Sequence, residues 1–436
     1  MNSGYVDAPR VLVLSAASLS RRGATGITLS NLFAGWPHNK LAQIYGDAPP
    51  PDPSICVNNY LFSSDRITIV RAIKSLRIQV TGMRRHLGRS LEGKHGIACD
   101  AAKSSVLASF ADGVPFRLPQ DLIEWVAKFD PQVIYSPLGS IRMMNAALQL
   151  SKLFDIPIVP HFMDDWPSTV YADRARYLPL RRMLRKKLEK VLSRAPFGLT
   201  ICDDMSSEYT HRHGIRFEAF MNCVDVSTPS TADTRRTNGE VMFGYVGGLH
   251  LNRWKSLRDV AAALQAAQDE GSTVRLDIFA PEADIHAYRS QFDRFTVVRH
   301  MGSLGYSDVR ERLREYDVLI HVESFLPGDS RYTRLSISTK IPQYMAAGRP
   351  ILAYGPDTLS SIAYVARTGA GLAVTKDGDV QGLLNEARRL VGQADLRAQL
   401  GEEGRNTASE HHDAAHERQR LMALLAEAAT KDGEWA

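Results

Sequence analysis

The first half of the chain alternates short apolar runs with stretches of helical spacing. Val11-Leu12-Val13-Leu14 is continuously apolar, the pattern of a strand buried on both faces. A turn with two glycines, Gly23 and Gly26, follows, and the spacing then predicts a helix over 27–33. Gln132-Val133-Ile134-Tyr135 and Ile156-Pro157-Ile158-Val159 read as further buried strands, with helical spacing from Met143 to Phe154 between them. Gly198-Leu199-Thr200-Ile201-Cys202 closes the series, and 206–213 has helical character. Strands alternating with helices in this way imply parallel pairing and a doubly wound sheet.

The pattern lapses into Ser, Thr, Pro, Asp and Arg around 226–239, the composition of a linker. It then restarts. Val241–Val246 is a strand, Gly247-Gly248 a turn and 257–270 a helix. Val274–Phe279 is the next strand. A short helix over 309–316 leads into the strand Val318-Leu319-Ile320. A helix over 341–347 ends at Gly348, before a buried strand over 349–353. From Val380 the chain turns helical. The expected architecture is α/β: two Rossmann-like doubly wound domains, 1–225 and 226–400, facing across a cleft, with a helical C-terminal tail, 401–436.

Composition narrows the class. With 436 residues, 44% hydrophobic and 23% charged, the chain is an ordinary globular protein rather than a disordered or disulfide-stapled one. No stretch approaches the roughly 18 uncharged apolar residues that cross a bilayer, and residues 1–10 lack the basic and apolar regions of a secretory signal. Cys56, Cys99, Cys202 and Cys223 lie far apart without ligand spacing, which suits a reducing compartment and no structural zinc. A cytoplasmic location is expected.

The net charge of +5 is unevenly spread. Residues 66–95 hold eight cations against Glu92, and 174–194 hold nine against Glu189. In both islands apolar residues recur near helical spacing between the cations: Ile73, Leu76, Val80, Met83 and Leu87 in one, Leu180, Leu184, Leu188 and Leu192 in the other. That is the pattern of an interfacial helix on an anionic leaflet, or of a core helix with a solvated basic face. No recognised nucleic-acid motif accompanies either island.

Three features carry candidate chemistry. A glycine turn after the first strand of each half lets backbone N–H groups and a helix start face an anion; Gly23 and Gly26, then Gly247 and Gly248, stand at those places, although each could be a tight turn alone. Neither matches a dinucleotide or P-loop fingerprint. Arg253 and Lys255 lie just beyond the second turn, at a strand's carboxyl end, where a diphosphate would bind. In Ser338-Thr339-Lys340-Ile341-Pro342-Gln343, Ser338 or Thr339 can cap a helix and Lys340 lies beside its free N-terminus. An Asp-x-Asp match at Asp377-Gly378-Asp379 reads as an ordinary loop.

The stretch Ser338–Pro350 resembles the donor-site helix of the GT-B glycosyltransferases, in particular the retaining glycosyltransferase family 4 of bacterial surface-polysaccharide synthesis. Phe243–Leu249 with Arg253 and Lys255 is similar to the opening of that family's nucleotide-sugar domain, and Arg314–Ile320 to the element before its donor helix. His161-Phe162-Met163-Asp164-Asp165-Trp166-Pro167 resembles its acidic Asp-x-Trp-Pro variant. The resemblance covers 241–400 well and 11–220 loosely. It implies sugar transfer from a UDP- or GDP-sugar to a lipid-linked or oligosaccharide acceptor, with retention and without a metal or other cofactor. Arg253, Lys255 and Lys340 would contact the donor diphosphate, with Gly247, Gly248, Ser338, Thr339 and Gln343 around the donor and Gly23 over it. His161, Asp164 and Asp165 would line the acceptor side. His161 could equally be a satisfied strand-end histidine, and Asp164-Asp165 a capped turn. The family commonly has two glutamates seven residues apart where this chain has Leu335 and Gln343; Glu323, in the preceding segment, is a candidate substitute. Their loss keeps open a catalytically inactive protein that binds a sugar nucleotide or a partner transferase. A sugar-nucleotide epimerase is the rival within the enzymes.

Overall fold

The computed structural model describes residues 8–46, 49–63, 109–172, 174–226 and 239–430. The first basic island and most of the expected linker lie outside the described residues.

The first domain is a seven-stranded parallel sheet. Its strands are β1 (Val11–Ser15), β2 (Leu41–Tyr45), β3 (Asn58–Leu61), β4 (Val133–Ser136), β5 (Ile158–Phe162), β6 (Gly198–Thr200) and β7 (Phe217–Ala219), in the order β3-β2-β1-β4-β5-β6-β7. Its helices are α1 (Ala24–Phe33), α2 (Gln120–Phe129), α3 (Ile141–Phe154), the single turn α4 (Trp166–Thr169), α5 (Leu178–Leu192) and α6 (Asp203–His213). The second domain has six parallel strands: β8 (Val241–Val246), β9 (Val274–Phe279), β10 (Val298–Gly302), β11 (Val318–Val322), β12 (Ile351–Tyr354) and β13 (Gly371–Val374), ordered β10-β9-β8-β11-β12-β13. Around it lie α7 (Arg253–Asp269), α8 (Glu282–Tyr288), α9 (Tyr306–Arg314), α10 (Pro327–Thr333), α11 (Lys340–Ala346), α12 (Ser360–Arg367) and α13 (Val380–Gly392). The chain ends in α14 (Ala394–His411) and α15 (Ala414–Thr430).

The expected two doubly wound domains are present, and all but one of the strands absent from the sequence reading have a common cause. β3, β7, β10 and β13 are the edges of the two sheets. An edge strand is covered less, so it needs no continuous apolar run: β3 and β10 alternate between exposed and half-buried positions. β2 is interior, but its run is broken by Gln43, which is buried because its amide serves the turn after β1. Its Oε1 accepts from Leu19 N at 2.8 Å and its Nε2 donates to Ala17 O at 3.0 Å.

The C-terminal helices divide between the domains. α14 packs on α11 of the second domain. At Val224 and Asp413 the chain crosses back, with Val224 N donating to His412 O at 2.8 Å and Ala414 N to Val224 O at 2.9 Å. α15 then buries Leu421 and Leu425 among Val11 and Val13 of β1 and Leu29, Leu32 and Phe33 of α1. No described helix is long and apolar enough to cross a membrane.

α5 settles the second basic island. Leu180, Leu184, Leu188, Val191 and Leu192 are buried in the first domain's core, so the apolar stripe faces protein. Of the two readings of that island, the structure has the core helix with a basic outer face.

Candidate active site between the two sheets

A cleft of about 750 Å³ opens where the carboxyl ends of the two sheets face each other. Most wall segments follow a strand: 21–28 after β1, Met163-Asp164 after β5, Val246–Gly248 after β8, Phe279–Pro281 after β9, 303–306 after β10 and Glu323 after β11; residues of 332–343, around the start of α11, complete the wall. This is where open α/β sheets bind ligands, because the turn there leaves backbone N–H groups and helix starts unpaired.

In the second domain the glycine turn is fixed from three sides. Gly247 N donates to Phe279 O at 2.8 Å, Tyr245 OH to Gly248 O at 2.7 Å, and Leu249 N to the Asp284 carboxylate at 2.7 Å. A side chain at 247 would place its Cβ 1.8 Å from Lys340 Nζ. The glycine therefore makes room for the lysine to cross the turn, where its ammonium lies 5.2 Å from the Tyr245 ring centroid. Arg253, at the start of α7, forms a two-pronged pair with Glu323, at 3.0 Å to Oε1 and 3.1 Å from Nε to Oε2. Their side chains are 16% and 4% exposed, so the pair is largely desolvated. Burial pulls the Arg253 pKa down, but Glu323, with Tyr245 and Asp164, holds it above its ordinary value.

Lys340 has no such partner: no ion pair to it is made among the described residues, and Glu323 is committed to Arg253. Burial first, then repulsion from Arg253, pulls the Lys340 pKa down to about 7. A cationic site short of one negative charge suits an incoming anion.

The first domain closes the cleft. Gly23, with φ +68°, turns the chain into α1 at the rim. Asp164 reaches across to the second domain, accepting from Ser336 Oγ at 2.7 Å and Tyr332 OH at 3.4 Å; burial raises its pKa. Asn31 accepts from Tyr306 OH at 2.7 Å, and Asn222 Nδ2 donates to Thr339 O at 2.8 Å.

Of the residues expected from sequence, the fold brings Gly23, Asp164, Gly247, Gly248, Arg253, Ser338, Thr339, Lys340 and Gln343 together in the cleft walls. His161, Asp165 and Lys255 are not among the wall residues. His161 is fully buried in β5 against Tyr135 OH, and burial lowers its pKa to about 4, so it is a neutral core histidine. Asp165 is turned into the first domain, accepting from Tyr209 OH at 2.8 Å, Ser168 Oγ at 2.9 Å and Arg212 at 3.0 Å. Lys255 is exposed, over the Trp254 ring. Thr339 occupies the cap position of α11 without a side-chain cap; Ser338 Oγ accepts from Lys340 N at 3.5 Å. Asp379, from the Asp-x-Asp match, caps α13 by accepting from Gly382 N at 2.8 Å.

Arg21, Arg22, Tyr306, Tyr332 and Ser336 also line the cleft. Arg21 and Arg22 adjoin Gly23 in sequence, and Tyr332 and Ser336 precede Lys340, so proximity to those motifs was the available signal.

Residues 258–423 match the family model described as glycosyl transferase-like. No curated protein matches the chain. Among solved structures, sucrose-phosphate synthase from Thermosynechococcus elongatus is similar with a TM-score of 0.60 at 13% identity, covering 96% of this chain and 98% of that one. WaaG, a glycosyltransferase involved in lipopolysaccharide biosynthesis, is similar with a TM-score of 0.59 at 11% identity, over 96% and 99%. An α,α-trehalose-phosphate synthase (UDP-forming) from Burkholderia vietnamiensis gives 0.58 at 13% identity, over 97% and 98%.

The chain has the GT-B glycosyltransferase fold. The sequence match to the glycosyl transferase-like family runs from within α7 into α15. Within the GT-B cleft, the two positions where the resembling family carries glutamates behave differently. Gln343 lines the cleft, whereas Leu335 is buried beside Cys202, whose thiol donates to the Leu335 carbonyl at 3.2 Å. Glu323 is the carboxylate that the second domain presents to the cavity beside Lys340.

Proposed function

We propose that this chain is a glycosyltransferase that moves a sugar from a UDP- or GDP-sugar to a lipid-linked glycan acceptor at an anionic membrane surface, in polysaccharide assembly. The observation that carries the reading is the unpaired Lys340 ammonium beside the Arg253–Glu323 pair, in a cleft walled by both sheets. The leaving diphosphate gains its charge late in the reaction, and preorganised cations in a desolvated site stabilise charge that develops there. Arg253 and Lys340 would meet that charge in place of a divalent ion, and Gly247 keeps the path to it open. Asp164, held by Ser336 and Tyr332, faces the same cavity from the first domain and would orient the acceptor hydroxyl. Transfer with retention follows from the resemblance to the retaining family.

Calorimetry with UDP, GDP and ADP, on the wild type and on Lys340→Ala, tests the donor site. One nucleotide should bind and be lost in the variant. Nucleotide binding without hydrolysis or transfer of the donor sugar would support the inactive binding protein, and conversion of the donor without an acceptor would support the epimerase. Binding that Lys340→Ala leaves untouched would remove the diphosphate role.

A further inference from the structure

The first domain has a charged face that the cleft does not use. Arg182, Lys186 and Lys190 follow one another at four-residue intervals along α5, which stacks them on one side of the helix. All three are exposed, none has an ion-pair partner among the described residues, and Glu189 is the sole acid of α5. Beside them, a groove of about 420 Å³ between α5 and α3 is lined by Lys152, Lys187 and Lys190 with Met183 and Phe116. The Lys187 pKa is lowered by burial and by its neighbours Lys190 and Lys152, as expected of cations crowded without a counter-ion.

The amino end of α5 has a different character. Leu178 and Phe110 are 47% and 42% exposed, two of the few large apolar side chains left in solvent, and the Phe110 ring centroid lies 6.2 Å from that of Tyr177. In a parallel α/β sheet the crossover helix starts at the edge where the preceding strand ends. α5 follows β5, whose carboxyl end carries Asp164 of the cleft. The apolar tip therefore lies toward the cleft side of the domain, and the cationic stripe runs away from it.

We propose that this face docks the first domain on an anionic lipid bilayer, with the α5 cations over the headgroups and Phe110 and Leu178 in the interface. Charge complementarity selects an anionic partner, and the exposed apolar tip at one end of the stripe selects a leaflet over a nucleic acid. Because the apolar stripe of α5 is buried in the domain core, the helix cannot sink into the bilayer. Attachment rests on exposed cations and is screened by salt. Docked this way, the cleft rim meets the surface from which a lipid-linked acceptor would enter. The docking itself does not depend on sugar transfer.

Flotation of the full chain with phosphatidylcholine vesicles, with and without phosphatidylglycerol, tests this at low and high salt. The wild type should float with the anionic vesicles alone and be released by salt. Arg182→Gln/Lys186→Gln/Lys190→Gln should weaken binding about 100-fold, at roughly five-fold per cation. Phe110→Ser/Leu178→Ser should weaken it several-fold. An unchanged melting midpoint and unchanged nucleotide binding in both variants would show that the fold and donor site are intact, which separates failure here from failure of the proposed function. Equal flotation with uncharged vesicles, no flotation, or undiminished flotation of the triple variant would each overturn the proposal. So would double-stranded DNA binding through the same three cations in a protein that ignores vesicles.

Discussion

Replacing Lys340 by methionine should stabilise the empty protein and weaken its donor site, two effects of opposite sign from one side chain. Lys340→Met keeps the length of the chain and removes the charge. Burial and Arg253 hold the lysine pKa at about 7, against an ordinary 10.5. At about 1.4 kcal/mol per pH unit, that difference would destabilise the charged folded state by up to about 5 kcal/mol. Water in the open cleft screens the ammonium and reduces the effect to about 1–3 kcal/mol. Because the folded-state pKa is the lower one, the lysine's penalty is complete below about pH 7 and fades as pH rises toward 10.5. Lys340→Met should therefore melt higher than the wild type near about pH 6, by about 2–4 °C for each kcal/mol recovered. The gain should shrink steadily above neutrality. A charge-assisted hydrogen bond to a diphosphate is worth about 1.5–3 kcal/mol, so nucleotide affinity should fall about 10- to 100-fold. Scanning calorimetry across pH and titration calorimetry with UDP and GDP read the two effects separately. A variant that melts lower than the wild type in acid, or binds nucleotide undiminished, would refute the account of Lys340 as a cation awaiting its anion.

Gly247→Ala tests the room made for that lysine: its Cβ would lie 1.8 Å from Nζ, so the flexible end must move, with a small change in melting but about ten-fold weaker diphosphate binding by calorimetry. Asp165→Asn should cost about 1–3 kcal/mol in chemical denaturation, because it disturbs a buried acceptor of Tyr209, Ser168 and Arg212, while turnover stays within about three-fold; collapse of turnover at unchanged stability would return Asp165 to the chemistry. Leu335→Glu should destabilise by about 3 kcal/mol and restore no function, since the carboxylate would be buried beside Cys202 and outside the cleft walls; increased transfer would show that the turn between α10 and α11 can rearrange to present it.

The sequence by itself determined the two parallel sheets and most of the donor-side wall. Interior strands such as Val11–Leu14 and Val241–Val246 are buried on both faces and carry no charged side chain, and a glycine turn followed by cations is a local signal. The edge strands were not legible, because partial burial imposes no such run. Only the tertiary structure decided which charges act together. Arg253 and Lys255 are two residues apart on one helix start, yet one is locked to Glu323, 70 residues away, and the other faces solvent. Asp164 and Asp165 are adjacent, yet one crosses to the second domain and the other serves Tyr209 and Arg212 in the first. The basic stripe of α5 was plain in the sequence, but whether its apolar side faces lipid or protein depends on α3 and the sheet behind it. Such assignments rest on burial and on partners brought from distant parts of the chain, which local spacing does not encode.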